Sequence, residues 1–287
     1  MGSVGERLVR EAVLEGLFYP HRRHDLREAI SNLLLRSEEP AGHARGIVCP
    51  HASLQYAGLH EATAFKAAAA RDIQLIVILA SATHHTKRTP AVPESQAFRT
   101  PLGDSIIDQE FIRDLTTRLP TLRKDDLPFL ESPAVETPLP FIQYLWPESR
   151  IVPCIIPNLK TADAAILTAE LLKTQRRYDS DRVLWIASTN IARGGNANHT
   201  RRHADRILKL LRVRGAVHET AAAPISGHNA GYPAETVCTL LKSCVGSRTS
   251  CEVLTRGSSC DFDGNSESNT EYAAIAFFAE SEIRDTP

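Results

Sequence analysis

The chain has 287 residues, and its 33 Lys and Arg nearly balance 34 Asp and Glu, for a formal net charge of -1. The basic residues are spread along the chain rather than gathered in a stripe, which argues against nucleic acid as a partner. No apolar run approaches the roughly 20 residues needed to span a bilayer. Glu6, Arg7, Arg10, Glu11 and Glu15 stand where a signal peptide would need an apolar centre. A soluble protein of the cytoplasm, or of cytoplasm and nucleus, is therefore expected.

Taken in order, residues 8–20 lead into a helix predicted over residues 25–35, with Leu26, Ile30, Leu33 and Leu34 on one face and Asp25 as its N-cap. The short run Gly46-Ile47-Val48-Cys49 suits a buried strand, and the alanine-rich residues 57–70 suit a helix. His51 then sits at a strand's carboxyl end, where open α/β sheets bind ligands. Residues 73–80 form a second unbroken apolar strand, which exits into His84 and His85. Two strand ends carrying imidazole are what a two-histidine metal site needs.

Residues 86–100 are expected to be a polar loop that walls a cleft, followed by a strand end and turn at residues 98–104 and a helix that Asp108 caps and that ends near Leu119. Five prolines between residues 120 and 140 suggest an ordered, meandering loop, with Glu136 inside it. Beyond it, helices are predicted over residues 141–146, 162–177, 201–212 and 233–243, with strands over 150–157 and 182–188. Residues 221–232 read as a loop carrying Ser226 and His228. Late strands over 251–255 and 271–279 are split by a Gly/Ser/Asn-rich loop. This alternation predicts one α/β domain over residues 8–281, with a mainly parallel or mixed central sheet flanked by helices and short tails at 1–7 and 282–287.

The six cysteines, Cys49, Cys154, Cys238, Cys244, Cys251 and Cys260, show no CxxC pair or zinc-finger spacing and read mostly as free thiols. The four later ones can in principle pair or bind metal.

Eight motifs in order, EGLFYP, CPHASLQYAG, ILASATHH, FRTPLGDSIID, VETPLPF, VLWIASTN, ISGHN and EYAAIAF, resemble the Memo family, named for a mediator of cell motility and called AmmeMemoRadiSam system protein B in prokaryotes. The resemblance implies a fold like the class III extradiol dioxygenases. It also implies a pocket built from two histidines and a cysteine, with iron or copper as the metal and phosphotyrosine-containing proteins as partners. Carried over by position, the histidines are His51 and His84, and the cysteine position falls on Ser226.

A serine hydroxyl is a far weaker ligand than a thiolate. The family's HSIE pattern reads Pro133-Ala134-Val135-Glu136 here, its SSDxxH pattern reads Ser188-Thr189-Asn190-Ile191-Ala192-Arg193, and its PHAG reads Pro50-His51-Ala52-Ser53. Glu136 is then the remaining candidate general base or, equally, a structural carboxylate holding the proline-rich loop, and His228, Glu136 or Asn190 can complete a ligand set. Arg193 can bind an anion or pair with Glu136; His85 and Tyr56 line the pocket, with Tyr56 packed beneath it. The expectation is a non-catalytic binding or signalling adaptor on a dioxygenase-like scaffold. The alternatives are an iron- or copper-dependent redox enzyme and a metal-free enzyme acting on an anionic substrate through Arg193 and Glu136.

Overall fold

The structure, a computed structural model, describes residues 7–82, 89–213, 233–264 and 269–279. The chain begins with strand β1 (Val9–Arg10), helix α1 (Arg23–Arg36), β2 (Ala44–Cys49), α2 (Leu54–Lys66), β3 (Leu75–Ser81), β4 (Ala91–Val92), β5 (Ala97–Thr100), β6 (Gly103–Ile106), α3 (Gln109–Arg118) and β7 (Arg123–Lys124). Three short helices follow, α4 (Leu127–Glu131), α5 (Pro133–Glu136) and α6 (Leu139–Leu145), then β8 (Arg150–Ile156), α7 (Thr161–Gln175), β9 (Val183–Ser188) and β10 (Ala192–Gly194). The last elements are α8 (Ala197–Arg212), α9 (Ala234–Val245), β11 (Thr249–Ser258), α10 (Cys260–Asp263) and β12 (Asn269–Ala279).

The apolar runs make the centre of the fold. β2, β9, β3 and β8 lie side by side and parallel, and every residue of β3 and β9 is buried, as strands covered on both faces require. β12 runs antiparallel to β2 and β11, and its amino-terminal end also pairs with β10. With β4 and β7 added beyond β8, the larger sheet has nine strands among the described residues. The mixed α/β architecture expected from the alternating pattern is the one observed. Helix α9 packs on β2, β9 and β3, and it approaches Gly46 so closely that a Cβ there would lie 2.5 Å from Cγ1 of Val245.

β9 is inserted between β2 and β3, so the carboxyl ends of three parallel strands converge. Cys49 and Ser188 are register partners across β2 and β9, as are Ala80 and Ser188 across β3 and β9. A smaller sheet, β1-β5-β6, carries the FRTPLGD motif as a hairpin. Gly103 closes that hairpin at a φ of +135°, a conformation that favours glycine.

Several expectations are corrected. The proline-rich stretch is not a meander: Pro128, Pro133 and Pro140 sit in the first turns of α4, α5 and α6, where the missing N–H costs no helical bond. Asp25 lies in the first turn of α1 while Arg22 is the N-cap residue. Asp108 does cap α3, accepting from Phe111 N–H at 2.9 Å. The expected cleft loop contains β4 and β5, and the late polar loop expected from Gly257 gives its first two residues to β11 and contains α10. None of the six cysteines forms a disulfide.

Candidate functional site

His51 follows β2 at the converging strand ends and is only 6% exposed. Its backbone N–H donates to Asn190 Oδ1 at 3.1 Å, and Thr189 N–H donates to the Cys49 carbonyl at 2.9 Å. The exits of β2 and β9 are thus stitched together, with Asn190 itself buried at the seam. Burial lowers the imidazole to about 4; a hydrogen bond with the Ser188 main chain opposes this in part, and the nearby Arg193 charge adds to it. His51 is therefore neutral at physiological pH, the form that ligates metals or accepts protons. Arg193 is exposed on β10, in register with Thr270.

The same end of the sheet receives β11, α10 and β12. Glu271 pairs in register with Ala192, and its carbonyl accepts from Ile191 N–H at 2.9 Å. One residue before β12's Thr270, Asn269 accepts from Cys260 Sγ at 3.2 Å and from Ser258 Oγ at 2.5 Å, and donates to Glu271 Oε1 at 3.0 Å. The buried Glu271 is held in turn by Arg256 at 3.2 Å and Arg201 at 3.8 Å. The Phe262 ring lies 5.1 Å from that of Tyr56 in the first turn of α2, so α10 closes against the helix that follows His51. Cys260, half-buried, opens the short helix α10. From sequence it was one of four undistinguished later cysteines. Tyr56 is 38% exposed and stands at the rim, not beneath the pocket as expected.

Glu136 lies elsewhere. It is fully buried on α5, where its carboxylate accepts from Arg10 Nη1 at 2.5 Å, Tyr19 Oη at 2.5 Å, Leu14 N–H at 2.8 Å and Val13 N–H at 3.1 Å. Arg10 also donates to the Phe129 carbonyl at 2.7 Å and lies 5.3 Å from the Phe98 ring. The EGLFYP motif supplies the turn: Gly16 N–H donates to the Tyr19 carbonyl at 2.8 Å, which brings the phenol to Glu136. The carboxylate therefore clamps the amino-terminal segment with its lone pairs engaged. Its expected pairing with Arg193 is corrected, because Arg10 holds that place.

Glu61, on α2, escaped the sequence reading. It is fully buried, and neither carboxyl oxygen makes a hydrogen bond. The Thr137 hydroxyl beside it donates to the Pro133 carbonyl at 3.1 Å. Burial raises the Glu61 carboxyl well above its ordinary range, with Thr137 opposing weakly; it also contributes to a raised Cys49 thiol, after burial itself. A single acid within the apolar stretch Ala57–Phe65 was the available signal.

His84, His85, Ser226 and His228 lie outside the described residues. Among the described residues no three His, Cys, Asp or Glu side chains gather as a metal site, and no helix is long and apolar enough to cross a membrane.

The family model for Memo-like proteins matches residues 10–276. A MEMO1 family protein of Thermoplasma volcanium is 26% identical over 174 residues, which cover 60% of this chain and 64% of the relative. One from Desulfurococcus amylolyticus is 30% identical over 218 residues, 70% of this chain and 76% of its own. The match to the Thermoplasma protein thus spans less than two thirds of that protein. One from Methanobrevibacter smithii aligns over 94% of this chain and all of its own length, at 25% identity. Because the matched region runs from the Arg10 clamp through both strand-end seams to β12, the chain belongs to the Memo-like protein family.

Proposed function

We propose that the crevice binds one iron or copper ion, with His51 and Cys260 as donors and His84 as the second imidazole. The observation that carries this reading is a buried, neutral His51 at the same sheet end as the thiol of Cys260. Neutral imidazole and sulfur suit copper(I) and iron. When bound, the ion would supply redox or Lewis-acid chemistry at the crevice. The chain's own residues prepare it: Asn190 fixes the His51 main chain, Asn269 orients the Cys260 thiol, Glu271 anchors Asn269, and Arg193 favours an anionic ligand at the mouth. From sequence, the adaptor reading ranked first because the family cysteine fell on Ser226; Cys260 offers a thiol without it.

The test is metal content of protein prepared without a histidine tag and given iron(II) or copper(I) under reducing conditions. A single tightly held equivalent, lost in His51→Ala and in Cys260→Ser but kept in Ser226→Ala, is expected. Natural protein that stays empty while Ser226→Cys gains metal would overturn the reading.

The half-exposed Tyr56–Phe262 pair at the rim favours a second reading, an adaptor for a protein or phosphopeptide, with a cytoplasmic or nuclear location. Titration with a phosphotyrosine peptide tests it; binding that survives both Tyr56→Ala and Arg193→Ala would count against this surface.

A further inference from the structure

The amino-terminal edge of the parallel strands, opposite the crevice, holds a cavity of about 410 Å³ between β6, the start of α3 and the head of β8. Arg150 is in register with Leu75, the first residue of β3, whereas Ser81, its last, is at the crevice end. Three guanidinium groups line the cavity, from Arg7, Arg113 and Arg150, against one carboxylate, Glu110. That carboxylate is already engaged by Arg177 at 3.1 Å, with Arg113 more distant at 3.8 Å. The side chains of Arg7 and Arg150 make no hydrogen bond or ion pair among the described residues. Asp104, the acid that feels Arg7, is itself held by Arg99 at 2.7 Å.

Like charges gathered in one cleft raise its potential and concentrate anions there. The ten-residue α3 opens at Gln109 in the cavity wall, but the Asp108 carboxylate already caps its amino terminus, so the arginines carry the field. Guanidinium forks match phosphate oxygens in geometry as well as charge. The volume exceeds what a bare phosphate needs and falls in the range of small-molecule sites. Gln96 and Gln109 offer carboxamides; the Gln109 amide donates to the Ser95 carbonyl at 2.8 Å, which leaves its own oxygen to accept from a hydroxyl. No aromatic ring is among the lining residues to stack on a nucleobase.

The geometry points to this cavity as a binding site for the phosphate group of a small polyhydroxylated molecule, of the sugar-phosphate class. It is separate from the His51 crevice and independent of whether that crevice holds a metal.

The experiment is calorimetric titration of the full chain with ribose 5-phosphate, inorganic phosphate, sulfate and ribose. Ribose 5-phosphate should bind more tightly than phosphate or sulfate, and ribose not at all. Arg150→Gln and Arg113→Gln should each weaken binding by roughly tenfold or more. Both side chains are exposed, so the thermal midpoint should stay unchanged in either variant. Arg193→Gln, at the other end of the sheet, should leave the affinity as it was. The proposal fails if ribose 5-phosphate does not bind, if inorganic phosphate or sulfate binds as tightly, or if Arg193→Gln abolishes binding while Arg150→Gln does not.

Discussion

Glu136 and Glu61 are both completely enclosed, yet their surroundings treat a carboxyl group in opposite ways. Around Glu136, one guanidinium, one phenol and two main-chain N–H groups converge on the two oxygens. Around Glu61, the Thr137 hydroxyl donates to a main-chain carbonyl instead. Burial alone thus does not give an acid its role; the donors around it do. The first carboxylate is a fastener for the amino-terminal segment. The second is a carboxyl that burial raises well above its ordinary range, close enough to Cys49 to push that thiol up further.

Breaking the fastener should have the largest effect. Glu136→Ala leaves the buried Arg10 without its partner and is expected to cost about 3–5 kcal/mol, read by urea unfolding at neutral pH. A loss below about 1 kcal/mol would erase the distinction between the two acids.

The next test separates them by pH. The folded Glu61 carboxyl lies above its unfolded value of 4.5, so above that pH the folded state keeps a proton the unfolded state has released. Stability from this group is therefore full below 4.5 and falls as pH rises toward the folded value, by about 1.4 kcal/mol per pH unit. Glu61→Gln should lie within about 1.5 kcal/mol of the natural protein near pH 4 and gain on it steadily toward pH 7. Parallel unfolding curves across that window would show that Glu61 is ionised in the fold.

The smallest effect sharpens the picture of the clamp. Tyr19→Phe removes one charged hydrogen bond while Arg10 and the two N–H groups remain, for an expected cost of roughly 1.5–3 kcal/mol. A loss as large as that of Glu136→Ala would make Tyr19, not Arg10, the principal partner.

Elements built from local pattern were legible in advance. The unbroken apolar runs of β3 and β9, the FRTPLGD hairpin, the Asp108 cap and the proline-opened α9 fall where periodicity and turn chemistry put them. The stretch from residue 120 to 140 was misread because proline is a breaker inside a helix but an opener at its first turn, and composition does not distinguish the two. For Glu136 the sequence left a general base and a structural carboxylate both open, and the structure shows a clamp. Its partner Arg10 is 126 residues away, and a carboxylate in a short motif looks the same whether it moves protons or holds chain.

By itself, the sequence determined the parallel core strands, the placement of His51 at a strand exit and the family, since each depends on neighbours a few residues apart. Only the tertiary structure decided which acids are paired and which thiol meets the start of β12. Cys260 meets Asn269 at the amino end of β12, which runs antiparallel to β2 and so carries that end toward the carboxyl end of β2. Arg10 reaches Glu136 because β1 adds to β5 in the smaller sheet. Such pairings form when distant segments are closed together by burial of apolar surface, and no local period encodes them.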